Sequence, residues 1–560
     1  MKKIGTMRKV LVTLMAVALM ISMSAMVSTK TYAASTTSPV SNIKSTDIVV
    51  LYDNDVHCSV DGYANIAALK SEVKAKTDNV AVVSCGDFVQ GGTLGTLSKG
   101  KSIVSIMNKV GYDVVTLGNH EFDYTVPTMK SLMKSLDTKV VSCNFKYTKT
   151  NKKVYLGYTM KTYGDTKVAF VGISTPESIT KSTPSYFQNS KGKYIYTFCG
   201  DKTGKSLYKQ VQSSVNAARK AGADYVIAVS HLGIGGVTTR WNAKNVISHT
   251  YGIDIMLDGH SHETYASYAF DNSKGKAVLY SQTGTKFANI GVLRITQEGF
   301  ILPNLVSTTD YTAKDEAVAA EIQAQEDAYA DIMNQVIGIT EYPLTINKPD
   351  SEVRAIRTAE TNLGDFCADA FQNVMGSDIA IINGGGIRAS VAAGNITYNN
   401  MLNVFPFSGS SSMISASGQQ IKDALELGAS KYPDECGGFL QVAGLKYTID
   451  SSKPSTVQLD ANGMFQKVAG EYRVTDIKVY NKTTKKYEAL SLSKTYKVAG
   501  LTYTLCQSGD GMSMFKGDKV LKDATQVDVD VLISYVKGKL GGTVGSKYAD
   551  PAGSGRIIVK

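Results

Sequence analysis

The chain has 560 residues, of which 43% are hydrophobic and 19% are charged, and its formal net charge is +11. This length predicts two large domains, and the composition is typical of a folded globular protein and excludes an intrinsically disordered one. The basic residues are scattered rather than gathered in a stripe, so we expect no binding to nucleic-acid polymers.

The N-terminus has the pattern of a secretory signal peptide. Residues 1–33 begin with Lys and Arg, continue as an apolar run from Val10 to Val27 and end with small residues. A retained membrane anchor is the alternative, but the small residues favour cleavage after Ala33. Cleavage removes five basic residues and no acid, so the net charge falls from +11 to +6. We therefore expect an exported protein that is secreted, cell-wall associated or periplasmic, with no membrane anchor after cleavage.

After a polar linker at residues 34–46, short apolar runs alternate with amphipathic segments through residues 47–307. The runs DIVVLYDND and NVAVVSCGD have the composition of buried strands, whereas NIAALKSEVKAK and IVSIMNKVG have helical periodicity. This rhythm predicts an α/β domain in which helices cover sheets.

This alternation of strand and helix patterns ends at residues 308–338. The segment is rich in Ala, Glu and Gln and has no obvious apolar stripe that could be buried against a partner. We interpret this segment as one long interdomain linker helix. A second α/β domain follows at residues 339–560, with the runs AETNLGDFCADAFQNVMG, DIAIINGGGIR and QSGDGM as its landmarks.

Polar residues follow the apolar runs of the first domain at once, in the segments YDNDVHC, SCGDF, LGNHEFD, VSHLG and DGHSH. Five of the six histidines of the chain lie in these segments. Functional residues of α/β folds gather where loops leave the carboxyl ends of strands. On an extended strand end, residues spaced i and i+2 project to one face, which applies to Asp55 with His57 and to His260 with His262. The candidate metal ligands are Asp55, His57, Asp87, Asn119, His231, His260 and His262.

These candidate ligands suit a pair of metal ions. Imidazole, carboxylate and amide oxygen together favour Mn, Zn, Fe, Co or Ni over Ca. Seven ligands exceed the three that hold one tetrahedral zinc with an open position, but they fit two metals that share a bridging carboxylate. A single histidine after a strand is more often a hydrogen-bonded loop residue, yet that explanation does not account for five such segments in series.

The series NDVH, GDF, GNHEFD, SHLG and GHSH resembles the calcineurin-like metallophosphoesterases. Together with the second domain, it is similar to the secreted bacterial 5′-nucleotidase family, which includes UDP-sugar hydrolases and 2′,3′-cyclic-nucleotide 2′-phosphodiesterases. The resemblance implies an α/β fold with a four-layer αββα catalytic sandwich followed by a smaller α/β substrate-binding domain. It also implies two divalent metal ions, among Mn, Zn, Fe, Co and Mg, and a hinge motion about residues 308–338.

The resemblance further implies a role for each polar residue of the first domain. One metal would be held by Asp55, His57 and His262. The other would be held by Asn119, His231 and His260. Asp87 would bridge the two metals, and His120, oriented by Asp123, would contact the phosphoryl group. A metal-activated hydroxide would then attack phosphorus, while His120 stabilises charge or protonates the leaving group.

The second domain is expected to choose the substrate. In DIAIINGGGIR, glycines let the backbone approach a ligand, and an arginine offers a rigid donor fork for phosphate or carboxylate. The resemblance implies that Phe407 stacks on the base and that Asp510 contacts the sugar. The residues implied to hold phosphate or ribose are Arg357, Asn383, Gly386 and Arg388.

One expected aromatic residue of the base clamp is missing. The resemblance places it six residues before Asp510, where this chain has Thr504 with Tyr503 beside it. Either Tyr503 takes part in base binding, or stacking is one-sided and loses about 1–3 kcal/mol per base.

These patterns predict a metal-dependent phosphoric ester hydrolase that removes phosphate from nucleotides, most simply a 5′-nucleotidase. The alternatives on the same scaffold are a 2′,3′-cyclic-nucleotide 2′-phosphodiesterase/3′-nucleotidase and a UDP-sugar hydrolase. A non-catalytic surface protein that binds nucleotides is a third possibility, against which the complete ligand set and the His120–Asp123 pair argue. The sequence leaves open the exact substrate, the native metals, the pairing of the seven cysteines and the oligomeric state.

Overall fold

The structure is a computed structural model that describes residues 40–407, 409–523 and 525–560. The predicted signal peptide and the first part of the polar linker lie outside the described residues. Residues 43–560 form one compact unit. None of the helices in the described ranges has the length and apolar character required to cross a bilayer.

The first domain is built from two six-stranded sheets and one two-stranded sheet. Its strands are β1 (Ile48–Asp53), β2 (Val80–Ser84), β3 (Val114–Val115), β4 (Lys139–Val140), β5 (Lys146–Tyr147), β6 (Tyr158–Tyr163), β7 (Thr166–Ser174), β8 (Tyr196–Thr197), β9 (Tyr225–His231), β10 (Ile255–Leu257), β11 (Thr264–Asp271), β12 (Ala277–Thr283), β13 (Asn289–Ile295) and β14 (Ile301–Ser307). Its helices are α1 (Asp61–Lys74), α2 (Thr93–Ser98), α3 (Lys101–Val110), α4 (Val126–Ser135), α5 (Ser178–Lys181), α6 (Lys205–Lys220) and α7 (Ala243–Ser248).

The strand order explains where the polar loops meet. The first sheet runs β14-β13-β1-β2-β3-β4 and the second runs β11-β12-β10-β9-β7-β6. Strands β1 to β4 are parallel to one another, and so are β7, β9, β10 and β12. Because parallel strands end at the same edge of a sheet, the loops that follow β1, β2 and β3 emerge side by side, as do those after β9 and β10.

Alternating side chains form the layers of this domain. In β7, Val168 and Phe170 join the core between the two sheets, whereas Ala169 and Val171 pack with α6 on the outer face. On the other side, α1 packs on β1 and β2. The predicted four-layer αββα sandwich is therefore confirmed.

The segment 308–338 differs from the single long helix expected from its composition. The structure has a helix α8 (Glu316–Asp327), a short helix α9 (Ala330–Met333) and then a strand, β15 (Val336–Thr340). Two buried residues of α8, Val318 and Ile322, pack its apolar side against α1 and α3. The segment is therefore not one continuous helix, and only two residues of α8 are buried, too few to give a visible apolar stripe in the sequence.

The remaining chain forms the second α/β domain. Its further strands are β16 (Ile379–Asn383), β17 (Gly394–Thr397), β18 (Ser411–Ser417), β19 (Leu440–Ala443), β20 (Leu445–Ile449), β21 (Val457–Leu459), β22 (Phe465–Val468), β23 (Val474–Asn481), β24 (Lys486–Ala489), β25 (Thr495–Leu501), β26 (Lys519–Lys522), β27 (Thr543–Val544) and β28 (Ile557–Val559). Its helices are α10 (Asn362–Met375), α11 (Tyr398–Val404), α12 (Gly418–Ala429), α13 (Thr502–Leu505) and α14 (Asp528–Ser534).

The central sheet of this domain is five-stranded, in the order β19-β16-β25-β18-β26. Helix α10 packs on one face, where Ala380 and Ile382 of β16 are buried, and α12 packs on the other, against Ile379 and Ile381. Strand β16 thus ends at Asn383, which begins the glycine-rich turn predicted to face the substrate.

Candidate metal centre and active site

The structure brings six of the seven predicted metal ligands together, all but Asn119, and it places His120 among them. Three groups of side chains each place one ligand atom per residue within 4.8 Å of the others. The groups are Asp55–His57–His262, His57–Asp87–His120 and Asp87–His231–His260. Because the groups share His57 and Asp87, they form one continuous cluster rather than separate sites.

The backbone at these ligands is unusual. Asp55 and His57 both have φ near +49°, and Asp87, His260 and His262 also have positive φ values. Non-glycine residues adopt this left-handed conformation rarely, and such strain concentrates at functional sites. The expectation that the i, i+2 pairs reach one site from an extended strand is therefore corrected, because tight loops beyond the strand ends turn these side chains inward.

Two glycines allow the loops after β2 and β3 to touch. Gly86 has φ +93°, and a Cβ there would lie 2.4 Å from the backbone nitrogen of Gly118. A Cβ on Gly118 would lie 2.2 Å from Oδ1 of Asp87. This close approach brings the loop that bears Asn119 against the Asp87 carboxylate.

In Asp55 and Asp87, one carboxylate oxygen accepts hydrogen bonds from neighbouring groups, and the other oxygen lies close to histidines of the cluster. Oδ2 of Asp55 accepts hydrogen bonds from Asn54 Nδ2 at 2.7 Å and from the His260 backbone N–H at 2.8 Å. Oδ1 of Asp87 accepts the backbone N–H of His120 at 2.7 Å. The other Asp87 oxygen, Oδ2, lies 3.1 Å from His231 Nε2 and 3.9 Å from His57 Nε2. Its position between two histidines of different groups matches that of a bridging carboxylate.

The histidines are oriented through the ring nitrogen that faces away from the cluster. His57 Nδ1 lies 3.1 Å from the carbonyl oxygen of Gln90, and His231 Nδ1 lies 2.7 Å from that of Cys85. His260 Nε2 lies 2.8 Å from Oε2 of Glu177. Such partners fix the tautomer and leave the opposite nitrogen free for a metal.

The polar atoms left over show that the residues fit a metal. Asp55 Oδ1, Asn119 Oδ1 and His231 Nε2 are buried and have no hydrogen-bond partner. Burial lowers the pKa of His57 well below its usual value, so this imidazole is neutral, as a metal ligand must be. Since buried polar atoms without partners cost free energy, the unpaired nitrogen and oxygen atoms in this part of the structure fit a divalent cation.

His120 and Asp123 form a hydrogen-bonded pair beside this cluster. Nδ1 of His120 lies 2.5 Å from Oδ2 of Asp123, which leaves Nε2 as the nitrogen available to a ligand. Burial opposes the charged imidazolium, but the carboxylates of Asp123 and Asp87 outweigh it and raise the pKa of His120. The ring of Phe407, from the second domain, stacks on His120 with centroids 5.1 Å apart and an interplanar angle of 20°.

Two glutamates with structural roles here were missed by the sequence analysis. Glu121 is fully buried and accepts the backbone N–H groups of Asp87 at 2.9 Å and Gly118 at 2.6 Å, which ties two loops together. Burial raises the pKa of Glu121 to about 7. Glu177 stands shortly after the end of β7 and holds His260. Glu177 follows the end of β7 closely, as the predicted ligands follow their strands, so the same sequence pattern could have identified it.

One cavity of about 840 Å³ joins the cluster to the second domain. Asp55, His57 and His231 do not line it and lie beneath its wall. The predicted catalytic-domain residues that line it are Asp87, Asn119, His120, Asp123, His260 and His262. The predicted second-domain residues that line it are Arg357, Asn383, Gly386, Arg388, Phe407, Tyr503 and Asp510.

The residues expected at the sugar end are held by the catalytic domain. Asp510 accepts hydrogen bonds from Lys181 Nζ at 2.7 Å and from Asn383 Nδ2 at 2.9 Å. The hydroxyl of Tyr503 donates to the carbonyl oxygen of Thr180 at 2.7 Å and accepts the backbone N–H of Asp510 at 3.0 Å. Thr504 is fully buried and does not line the cavity, whereas its neighbour Tyr503 does.

The arginine side of the cavity includes two residues, Arg354 and Glu435, that the sequence analysis did not identify. Arg354 pairs with Glu435, and Arg357 Nη1 lies 3.8 Å from the same carboxylate. Arg388 lies over the Phe407 ring, with Cζ 5.7 Å from the ring centroid.

Two family comparisons agree with this division of the chain. Residues 49–264 match the calcineurin-like phosphoesterase family, and residues 336–517 match the 5′-nucleotidase C-terminal domain family. The first match lies within residues 47–307, and the second begins at Val336, the first residue of β15.

Two relatives match this chain across both of its domains. The trifunctional nucleotide phosphoesterase protein YfkN of Bacillus subtilis is 27% identical over 548 residues, which cover 90% of this chain and 34% of that protein. This chain therefore spans about a third of the length of the Bacillus protein. Snake venom 5′-nucleotidase of Crotalus adamanteus is 26% identical over 567 residues, which cover 91% of this chain and 88% of that protein.

A solved structure shares the fold. The 5′-nucleotidase precursor from Thermus thermophilus superposes with a TM-score of 0.75 at 24% identity and covers 92% of this chain and 99% of its own. The chain therefore belongs to the family that joins a calcineurin-like phosphoesterase domain to a 5′-nucleotidase C-terminal domain, and it is a metal-dependent phosphoric ester hydrolase.

Proposed function

We propose that this protein is an exported hydrolase that uses two divalent metal ions to remove phosphate from nucleotides, with nucleoside 5′-monophosphates as its main substrates. One observation carries the proposal. A single cavity joins the Asp/His cluster and the His120–Asp123 pair on one side to arginine, asparagine and aromatic side chains on the other.

The metal-binding residues support two ions rather than one. One ion would be held by Asp55, His57 and His262, and the other by Asn119, His231 and His260. Asp87, whose Oδ2 lies between His57 and His231, would be shared. When bound, the divalent ions would supply Lewis acidity that activates water and neutralises charge on the phosphoryl oxygens.

His120 is the proposed proton-handling residue. Its Nδ1 is held by Asp123 in a hydrogen bond of 2.5 Å, so the ring is fixed and Nε2 is left available, and His120 lines the cavity. A protonated Nε2 can donate to a phosphoryl oxygen or to the leaving alkoxide, which is where negative charge develops. The stacked ring of Phe407 excludes water from one face of this imidazole.

The second domain is proposed to hold the nucleoside and its phosphate. Arg357 and Arg388 present planar donor forks, which suit phosphate oxygens. Asp510 accepts from Lys181 and Asn383 and retains acceptor capacity for a sugar hydroxyl. Tyr503 and Phe407 are aromatic residues of the second domain at the cavity.

A 2′,3′-cyclic-nucleotide 2′-phosphodiesterase/3′-nucleotidase is the second candidate. It stays open because the hydroxyl of Tyr503 is engaged by Thr180 and by Asp510, which bears on how selectively the base is held. A ring held in this way closes the cavity wall and is not free to rotate onto a base. This feature weakens the argument for tight binding of an adenine base. UDP-sugars remain candidate substrates for the same reason.

Export and domain movement complete the proposal. Export rests on the signal-peptide pattern of residues 1–33 and is in line with relatives that are named as snake venom proteins. We place the hinge for domain movement between Asp327 and Val336, where the helical segment breaks before β15 begins.

The test is phosphate release by the protein recovered after export, whose first residue should be Ala34. The assay contains Mn²⁺ and compares AMP, 3′-AMP, 2′,3′-cyclic AMP and UDP-glucose. We expect AMP to be the best substrate, and His120→Ala to lower its turnover by about 10²–10⁴-fold while bound metal is retained.

Each other outcome has a distinct meaning. Preference for the cyclic or 3′ substrate would transfer the function to the second candidate. Turnover that is unchanged in His120→Ala would remove the proposed role of that residue. No turnover of any nucleotide by metal-loaded protein would contradict the hydrolase proposal.

A further inference from the structure

We propose that Glu435 limits the number of negative charges that a nucleotide can bring to the arginine side of the cavity, and so favours nucleoside monophosphates over nucleotides with an additional phosphate. The inference rests on the proposed nucleotide hydrolase function. It concerns three side chains that line the cavity, Arg354, Arg357 and Arg388, which are called the arginine cluster below.

Glu435 binds the arginine cluster as an anionic ligand would. Its Oε1 accepts from Arg354 Nε at 2.9 Å, and its Oε2 accepts from Arg354 Nη2. The same Oε2 lies 3.8 Å from Arg357 Nη1. A guanidinium presents two parallel N–H groups to a carboxylate and to a phosphate alike, so Glu435 occupies a position that phosphate oxygens could take.

The cluster has more positive charge than its carboxylate neutralises. Three guanidinium groups face the cavity, and Glu435 is the only carboxylate that pairs with any of them among the described residues. Arg357 has a side chain that is 16% exposed, and its buried Nε has no hydrogen-bond partner. Burial, followed by repulsion from Arg354 and Arg388, lowers the pKa of Arg357 well below its usual value.

Glu435 can be displaced more easily than a core residue. Its side chain is 37% exposed and it belongs to the loop between α12 and β19, outside every strand and helix. Although burial works against it, pairing with Arg354 lowers the pKa of Glu435, so the group is ionised at neutral pH. An ionised and exposed carboxylate therefore competes with any additional phosphate for Arg354.

Charge counting gives the expected selectivity. A monophosphate can be served by Arg357 and Arg388, which leaves the Arg354–Glu435 pair intact. A second phosphate adds about one negative charge to the nucleotide. This charge is repelled by the Glu435 carboxylate unless the phosphate displaces Glu435 from Arg354. Removal of this carboxylate should therefore improve diphosphate binding more than monophosphate binding.

The experiment measures the affinity of AMP and of ADP by isothermal titration calorimetry. It uses full-length Mn²⁺-loaded protein with His120→Ala, which slows turnover, with and without Glu435→Gln. We expect the ratio of the AMP Kd to the ADP Kd to rise by about threefold to fivefold in Glu435→Gln, the size expected for a partly exposed ion pair. The matched control is Glu471→Gln, which removes the same charge from an 82% exposed glutamate paired with Lys453, and it should leave the ratio unchanged.

A second variant guards against a folding defect. Arg354→Gln removes the group that Glu435 neutralises, so the ratio should fall below that of the parent. An unchanged ratio in both variants, with cooperative thermal unfolding retained, would overturn the role of Glu435 and leave the proposed function intact. If neither nucleotide binds to the parent protein, the proposed function fails and the inference fails with it.

Discussion

The two sides of the cavity hold their charged groups in different ways. On the catalytic side, Asp55, Asp87 and His231 are no more than 1% exposed, and each is oriented by partners within the same domain. On the opposite side, the Arg354 and Glu435 side chains are 30% and 37% exposed and pair with each other between loops.

This difference follows from what each side must do. A metal needs lone pairs fixed in direction and distance, which fits candidate ligands that are buried, strained and supported by second partners. Substrate choice needs only a difference in affinity between two ligands, which an exposed charge on a loop can supply. Changes on the catalytic side should therefore abolish the reaction, whereas changes on the other side should alter its preference.

The largest effect is expected for Asp87→Asn. Asn keeps the size of the side chain but removes the charge between His57 and His231, so at least one metal should be lost. Because changes to residues that merely support ligands cost about 10–100-fold, phosphate release should fall by at least about 100-fold. Metal content by mass spectrometry and turnover of AMP are the measurements.

Asp258→Asn is the matched control for this prediction. Asp258 is also a buried carboxylate at a strand end, but its oxygens accept from Ser230, from the backbone N–H of Leu232 and Gly233, and from Tyr280. This variant should lower thermal stability and keep its metals. Full metal content in Asp87→Asn would contradict the bridging role.

A smaller effect is expected for Glu177→Gln. The carboxylate lies 2.8 Å from His260 Nε2 and also accepts the Thr238 backbone N–H at 2.8 Å. The neutral amide should orient His260 less firmly and weaken metal affinity by about 10–100-fold. Titration of metal-free protein with Mn²⁺ measures this affinity, and excess Mn²⁺ should restore turnover.

The control for this variant is Glu263→Gln, which changes a neighbouring cavity residue that bonds to Ser261 rather than to a metal ligand. Its metal affinity should equal that of the parent. If Glu177→Gln loses turnover that no concentration of Mn²⁺ restores, Glu177 does more than position His260.

The smallest effect is expected for Lys181→Met, which removes a contact between the two sides. Asp510 is 5% exposed at its side chain and would keep only Asn383 as a side-chain partner among the residues described. We expect a loss of about 1.5–3 kcal/mol in the free energy of unfolding, the usual size for a hydrogen bond to a charged group. Hydrogen exchange should become faster in residues 503–511, which face the catalytic domain.

Lys161→Met offers the comparison within one domain, because Lys161 pairs with Asp113 on the catalytic side. It should reduce stability by a similar amount without faster exchange in residues 503–511. Equal exchange in the two variants would mean that the Lys181–Asp510 pair does not hold the domains together.

Much of the catalytic side could be predicted from local sequence. The candidate ligands follow apolar strands closely, and parallel strands end at a common edge of a sheet. Residues in this sequence pattern are therefore expected to lie close together in the folded protein. Glu121 and Glu177 share that pattern but differ in what they touch, since their carboxylates bond to backbone N–H groups and to a histidine ring. Local sequence does not distinguish a ligand from the residue that orients it.

The sequence by itself indicated the α/β class and the seven candidate ligands, because strand periodicity and short-range spacing are local properties, and the resemblance of its motifs to a known family added the His120–Asp123 pair. Only the tertiary structure decided the broken linker helix, the left-handed loops at the ligands, the Arg354–Glu435 pair and the Lys181–Asp510 contact. The two ion pairs join residues 81 and 329 positions apart in the chain. Packing between distant segments creates them, and packing leaves no periodic signal in a sequence.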